Sequence, residues 1–116
     1  MSLVYVIEDE LSLATLYLEV MKRAGFSGTM ALDGNYALVL MEEAVPDVII
    51  LDLMLPGMSG LDVLRYIRSN PRLKDVYVVV TTADYMAGHE VHELADQVLV
   101  KPVHIDLLRD VCLGVA

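Results

Sequence analysis

Five side chains in this sequence have the types that phosphate chemistry needs, and each stands where an apolar run breaks off. Glu8 and Asp9 follow Leu3 to Ile7, and Asp52 ends the run that begins at Asp47. Thr82 follows Val76 to Thr81, and Lys101, with Pro102 behind it, follows Val98 to Val100. Three carboxylates gathered at one place repel one another, and a pair ~4 Å apart costs roughly 4 kcal/mol at an effective dielectric of about 20. A cation is therefore expected among them. Mg²⁺ suits the set, because it takes a few carboxylates, a backbone carbonyl and retained waters rather than a full protein cage. With a lysine and a hydroxyl close by, the chemistry that fits is phosphoryl transfer, where the protein positions an in-line attack and neutralises charge on the equatorial oxygens. Asp52 is then the nucleophile that forms an aspartyl phosphate, Lys101 and the metal stabilise the oxygens, and Thr82 donates a hydrogen bond. An ionised carboxylate carries no proton, so no separate general base is needed.

These residues are far apart in sequence and meet only if the fold gathers the ends of several strands. Leu3 to Ile7 reads as a buried strand, followed by a helix from Glu10 to Ala24 with an apolar stripe at Leu11, Ala14, Leu18 and Met21, a Glu19–Arg23 pair and a stop at Gly25. A second apolar set, Leu13, Leu16, Tyr17 and Val20, is read as deeper burial in preference to a partner-binding face. Ser27 to Leu32 is a weak strand, and Asp33-Gly34-Asn35 is turn chemistry before a helix from Tyr36 to Glu43. Asp47 to Leu53 is the strongest strand signal. The loop Met54 to Gly60 follows, then a helix from Leu61 to Arg68 that Asn70-Pro71 ends. Val76 to Thr81, Met86 to Leu94, Val98 to Val100 and Ile105 to Val115 complete the alternation as strand, short helix, strand and helix.

Five βα units predict an α/β fold, a doubly wound five-stranded parallel sheet with helices on both faces, because right-handed crossovers place the helices on alternate sides. The flavodoxin-like strand order 2-1-3-4-5 puts the site at the C-terminal edge where strands 1 and 3 diverge. Those two strands end in Glu8-Asp9 and Asp52.

A chain of 116 residues is sized for one domain, here 1–116. The apolar fraction of 56% suits strands covered on both faces, and no apolar stretch approaches the ~18 residues of a membrane span. Met1-Ser2-Leu3 leads into a strand without a basic region, so no secretory signal is expected and a cytoplasmic location is. Cys112 is the single cysteine and lies on the apolar stripe of the last helix, which makes it a buried thiol. A net charge of −9 argues against direct nucleic-acid binding, because it leaves no basic patch to displace counterions from phosphates.

Along nearly its whole length the sequence resembles the response-regulator receiver family. The resemblance is carried by Val6-Ile7-Glu8-Asp9-Glu10, by Ala31 to Leu38, by Pro46 to Gly60 with Asp52 inside it, by Thr82-Ala83 and by Lys101-Pro102. It implies a phosphoacceptor Asp52, Mg²⁺ held by Glu8, Asp9 and Asp52 with the Met54 carbonyl, and a phosphate read by Thr82 and Lys101. Asp9 is the expected direct ligand, while Glu8, where many relatives have Asp, acts through a water. The resemblance also implies a histidine kinase, a phosphotransfer protein or a small donor such as acetyl phosphate as the source of the phosphoryl group. The domain then catalyses its own modification and turns over no metabolite. An output domain beyond Ala116 and a homodimer are partners the family allows.

The chain departs from the family's pattern where the signal is relayed. An aromatic residue usually precedes the lysine by three positions, and this sequence has Val98. Seventeen residues separate Ala83 from Lys101, fewer than is common in relatives, so the fourth helix is expected to be short or irregular. Tyr85 is read as an ordinary surface tyrosine before it is read as a stand-in for the ring.

Other readings fit less well. A phosphatase or dehalogenase with an aspartate nucleophile needs a second Asp where Met54 stands, and a flavin site needs a Gly, Ser or Thr-rich loop where Glu8-Asp9-Glu10-Leu11 stands. His89, Glu90, His92 and Glu93 are read as solvated surface in preference to a metal site, and His104 as a cap or solvent-facing residue. The remaining rival is a receiver-like module that signals by constitutive contacts, which intact Asp52, Thr82 and Lys101 argue against.

Overall fold

The computed structural model of the chain describes residues 2–84 and 86–115. Five strands, β1 (Leu3–Ile7), β2 (Ser27–Ala31), β3 (Val48–Asp52), β4 (Tyr77–Thr82) and β5 (Gln97–Val100), form one parallel sheet in the order β2-β1-β3-β4-β5. Between and after them run α1 (Leu11–Arg23), α2 (Gly34–Glu43), α3 (Gly60–Ser69), α4 (His89–Leu94) and α5 (Ile105–Leu113). The expected doubly wound architecture and strand order are both present.

Alternation along the central strands sends side chains to two cores. Val4, Val6, Val48, Ile50 and Val79 pack with Ala14, Tyr17, Met21, Leu108 and Cys112 beneath α1 and α5. Tyr5, Ile7, Ile49, Leu51, Val78 and Val80 pack with residues of α2 and α3 on the opposite face. The three inner strands are buried on both faces and read as unbroken apolar runs for that reason. Cys112 is fully buried, and burial pushes its thiol up to about 12.

Several boundaries differ from the sequence reading. Thr82 belongs to β4, which starts one residue later than expected, at Tyr77. The backbone of Asp47 bonds Leu3 O and its carboxylate accepts from Leu3 N, so it precedes β3 and the strand begins at Val48. α2 starts two residues early because Asp33 caps it, its carboxylate accepting from Tyr36 N at 2.7 Å. α4 does not begin at Met86. Asp84 accepts from the backbone N–H groups of both Met86 and Ala87, which makes a turn there, and extended Gly88 delays the helix to His89. α5 stops at Leu113, short of Val115. On α1, Leu11 is exposed and not on the buried stripe, whereas Tyr17 is buried almost completely. Among the described residues, no helix is long and apolar enough to cross a membrane.

Candidate functional site

The strand register brings the carboxylates together. Ile7 pairs with Leu51, so the next residues, Glu8 and Asp52, leave the adjacent ends of β1 and β3 side by side. Both continue the alternation of Val4 and Val6, and of Val48 and Ile50, and both are buried, at 1% and 3% exposure, while Asp9 is exposed. One oxygen from each of Glu8, Asp9 and Asp52 lies within 4.8 Å of the others. Close by, Gly60 N donates to Leu53 O at 3.0 Å, and a Cβ at Gly60 would stand 2.2 Å from Asp52 O. A glycine at the start of α3 is what lets this helix press against the end of β3.

Lys101 reaches these acids from the far side of the sheet. Its ammonium donates to Glu8 Oε1 at 2.7 Å and to Asp52 Oδ2 at 3.1 Å. Since β4 lies between β3 and β5, the lysine side chain must cross the end of β4 to get there. Met54 N donates to Asp52 Oδ1 at 3.0 Å and Glu10 N to Glu8 Oε2 at 3.2 Å, so both carboxylates are oriented by backbone as well as by cation. The Met54 side chain is 73% exposed. Thr82 Oγ1 accepts from Asp84 N at 3.0 Å, which ties the hydroxyl to the loop that follows β4. Lys101 N donates to Thr82 O at 2.7 Å, linking the ends of β4 and β5.

Burial and charge act together on the site's acidities. Burial pushes the Glu8 carboxyl up, Lys101 draws it down and Asp52 pushes it up again, leaving it at about 7. For Lys101, burial favours the neutral amine, but the hydrogen bonds its ammonium donates to Glu8 and Asp52 outweigh that and hold it above its ordinary range. The lysine is therefore a fixed positive charge, and Glu8 keeps a proton more readily than an ordinary glutamate does.

The candidate residues Glu8, Asp9, Asp52 and Lys101 are thus gathered, Thr82 stands at their margin on the β4 edge, and Met54 contributes backbone. The histidines are elsewhere. His89 pairs with Glu93 at 2.7 Å and Glu90 with Arg65, and no other group of three ligand-type side chains comes together among the described residues. His104 is exposed at the start of α5, where its side chain makes no capping hydrogen bond. Tyr85 lies outside the described residues. Two buried hydroxyls on the α1 side of the sheet, Tyr17 OH and Thr81 Oγ1, went unnoticed in the sequence, Tyr17 as part of an apolar set and Thr81 as the last residue of an apolar run.

An acidic cluster and a lysine at the point where a doubly wound sheet reverses direction define a phosphate-handling α/β domain. The family model for the response regulator receiver domain matches residues 4–112, and the chain belongs to that family. Among curated relatives, the DNA-binding response regulator MtrA of Mycolicibacterium paratuberculosis is 37% identical over 101 residues, 85% of this chain and 44% of that protein. The sensory transduction protein RegX3 of Mycobacterium bovis is 38% identical over 107 residues, 88% of this chain and 45% of that protein. The chain thus spans less than half the length of these relatives. A solved structure of the response regulator TrrA of Thermotoga maritima, in complex with Mg²⁺-BeF, superposes with a TM-score of 0.89 at 29% identity and full coverage of both chains. The CheY-like receiver domain of Methylobacillus flagellatus gives 0.91 at 27% identity, covering 100% of this chain and 99% of that one.

Proposed function

We propose that this receiver domain accepts a phosphoryl group on Asp52 and, once modified, alters its loops to control an output region or partner. The single observation that carries this reading is the buried Asp52 carboxylate, held by Met54 N on one oxygen and by Lys101 on the other, with Glu8 and Asp9 beside it. A carboxylate fixed in this way presents an oxygen for in-line attack at phosphorus. That oxygen forms the new P–O bond as the donor's leaving group departs with its bonding electrons. Lys101 then turns toward the transferred oxygens, and Thr82, at the end of β4, donates to one of them.

The donor set fits a hard divalent cation: three carboxylate oxygens close together, two of their residues buried, with only one lysine ammonium among them. Glu8, Asp9 and Asp52 would hold Mg²⁺, with the Met54 carbonyl beside them. When bound it supplies charge neutralisation for the acids and the transferred group. Phosphoryl donors of the expected kind are the phosphohistidine of a kinase or phosphotransfer protein and small acyl phosphates. With a net charge of −9, this domain does not itself grip nucleic acid, so any such contact falls to an output region. Response regulators act as signalling proteins, and this domain's turnover is the gain and loss of its own phosphoryl group.

Intact-mass measurement tests the reading. Incubation with acetyl phosphate and Mg²⁺ is expected to add one phosphoryl group to the wild type and none to Asp52→Asn. Equal labelling of Asp52→Asn would move the acceptor elsewhere.

A further inference from the structure

Among the described residues, Tyr17 OH and Thr81 Oγ1 are the buried side-chain polar atoms with no hydrogen-bond partner. Buried hydroxyls are seldom left so, because an unsatisfied one costs about 1–3 kcal/mol. Their locations are related. Thr81 pairs in register with Asp52 and, on its other side, with Leu99, and it follows the alternation of Val79 onto the α1 face of the sheet. It is therefore the β4 residue that stands in one row with Glu8 and Asp52 and on their face, while Thr82 ends the strand with its hydroxyl on Asp84 N. Tyr17 comes down onto that same face from α1 and packs in the core that contains Val79 and Ile50.

The lysine reaches the acids over the same face. To reach Glu8 and Asp52 from beyond β5, its side chain crosses the end of β4 on the side where Thr81 points. Tyr17 and Lys101 line one open depression of about 520 Å³ together with Leu13, Leu16, Pro102, Val103 and Ile105. Lys101 is also the charge that acts most strongly on the Tyr17 phenol, which burial as a whole pushes up. An ammonium has three hydrogens, and the bonds to Glu8 and Asp52 use two.

We propose that Tyr17 and Thr81 are positioning residues for Lys101, holding one ordered water between their hydroxyls that accepts the third ammonium hydrogen. A water needs two to four polar partners, and the two unpartnered hydroxyls with the ammonium would supply three. The hydroxyl pair fixes the lysine from behind, so that its charge faces the carboxylates and, after transfer, the phosphoryl oxygens. Neither residue touches the reacting atoms. The inference rests on the proposed phosphorylation of Asp52 only for its kinetic readout, since the lysine's environment exists before any transfer.

The test uses Tyr17→Phe, Thr81→Val, the double variant and Thr81→Ser. In protein labelled with ¹⁵N-lysine, which has only Lys22, Lys74 and Lys101, the Lys101 ammonium is expected to give a slowly exchanging signal. The signal should fade in either hydroxyl deletion and return in Thr81→Ser. With acetyl phosphate and Mg²⁺, each deletion should lower the saturating rate about fivefold, the equivalent of one hydrogen bond, and leave the half-saturating donor concentration unchanged. The double variant should be no slower than either single one, because both remove the same water. Unaltered ammonium exchange and saturating rates in both deletions would overturn the proposal. A wild type that takes up no phosphoryl group would instead remove the assignment of Asp52 and leave the ammonium measurement to decide on Tyr17 and Thr81. If Thr81→Val does not fold, Tyr17→Phe alone gives the same two readouts.

Discussion

Lys101 Nζ lies nearer to Glu8 than to Asp52, 2.7 Å against 3.1 Å, so the lysine serves the buried acid of β1 at least as closely as the acceptor on β3. Removing one partner from such a buried cluster leaves the others uncompensated. Lys101→Met keeps the length of the stem and deletes the charge, and it is expected to cost about 2 kcal/mol of stability near pH 8. The cost should shrink below pH 6, where Glu8 can take up a proton and the repulsion with Asp52 falls. Urea unfolding of both proteins at the two pH values measures it. An equal loss at both would mean that the lysine contributes by packing alone.

Glu8 also sets a pH dependence for the wild type. Its folded carboxyl, raised to about 7, lies above its ordinary value of 4.5, so between those values the folded state binds more protons than the unfolded chain. This group's contribution to stability is therefore greatest below pH 4.5, declines as pH rises to about 7, and is level beyond it. Mg²⁺ binding should run the other way, tightening by about tenfold per pH unit below 7 as the proton is displaced, and levelling above. Calorimetric titration at pH 6, 7 and 8 checks the trend. Asp9→Asn should weaken binding at every pH, and equal affinity in that variant would remove Asp9 from the ligand set.

Gly60 is a point where backbone geometry and the site meet. A methyl group there would stand 2.2 Å from Asp52 O and 2.4 Å from Leu53 Cα, contacts with backbone that a rotamer change cannot relieve. Gly60→Ala is expected to destabilise the fold by about 2 kcal/mol and to slow phosphorylation, since the end of β3 must shift. Gly88→Ala, where a Cβ meets nothing within 4 Å, is the control. Thermal unfolding should separate the two variants.

The sheet order and the gathered acids were legible in the sequence for one physical reason. The inner strands β1 and β3 are buried on both faces, so each shows as an apolar run whose first polar residue marks the C-terminal edge, Glu8 after Ile7 and Asp52 after Leu51, and the shorter apolar run of the edge strand β5 ends in the same way at Lys101. The start of α4 was not legible, because Asp84 and Gly88 decide it through backbone hydrogen bonds that no hydrophobic period records. Thr81 and Tyr17 were hidden for the opposite reason. Each occupies an apolar position in its element, and only the register of β4 against β3 sets Thr81 beside Asp52, as only the packing of α1 sets Tyr17 on the same face of the sheet.

The last prediction concerns the response to phosphorylation. A family relay through an aromatic ring has no counterpart at Val98, a half-buried β5 residue whose branched Cβ restricts its rotamers. α4 itself is held against α3. Arg65 Nε donates to Glu90 Oε2 at 2.7 Å, and Arg68 donates to Leu94 O at 2.7 Å and to Asp96 Oδ2 at 2.8 Å, so both ends of the helix are tied. Asp96 in turn accepts from Val78 N, which fixes the entry to β5. Ahead of the helix, Thr82 and Asp84 hold short local turns, Asp84 N donating to Thr82 Oγ1 and Met86 N to Asp84 Oδ1. A phosphoryl group on Asp52 offers acceptor oxygens to Thr82. Drawing that hydroxyl inward gives up its bond with Asp84 N and reorganises the turn that delays α4. New hydrogen-exchange protection is therefore expected at Met86, Ala87 and Gly88 and through the first turn of α4 when beryllofluoride and Mg²⁺ occupy the site, with little change at Val98. Arg65→Ala should spread the change over the whole of α4 by releasing its tie to α3. If the exchange of residues 86–94 is the same with the mimic bound and without it, the switch does not run through α4, and a module that signals by constitutive contacts accounts better for this chain.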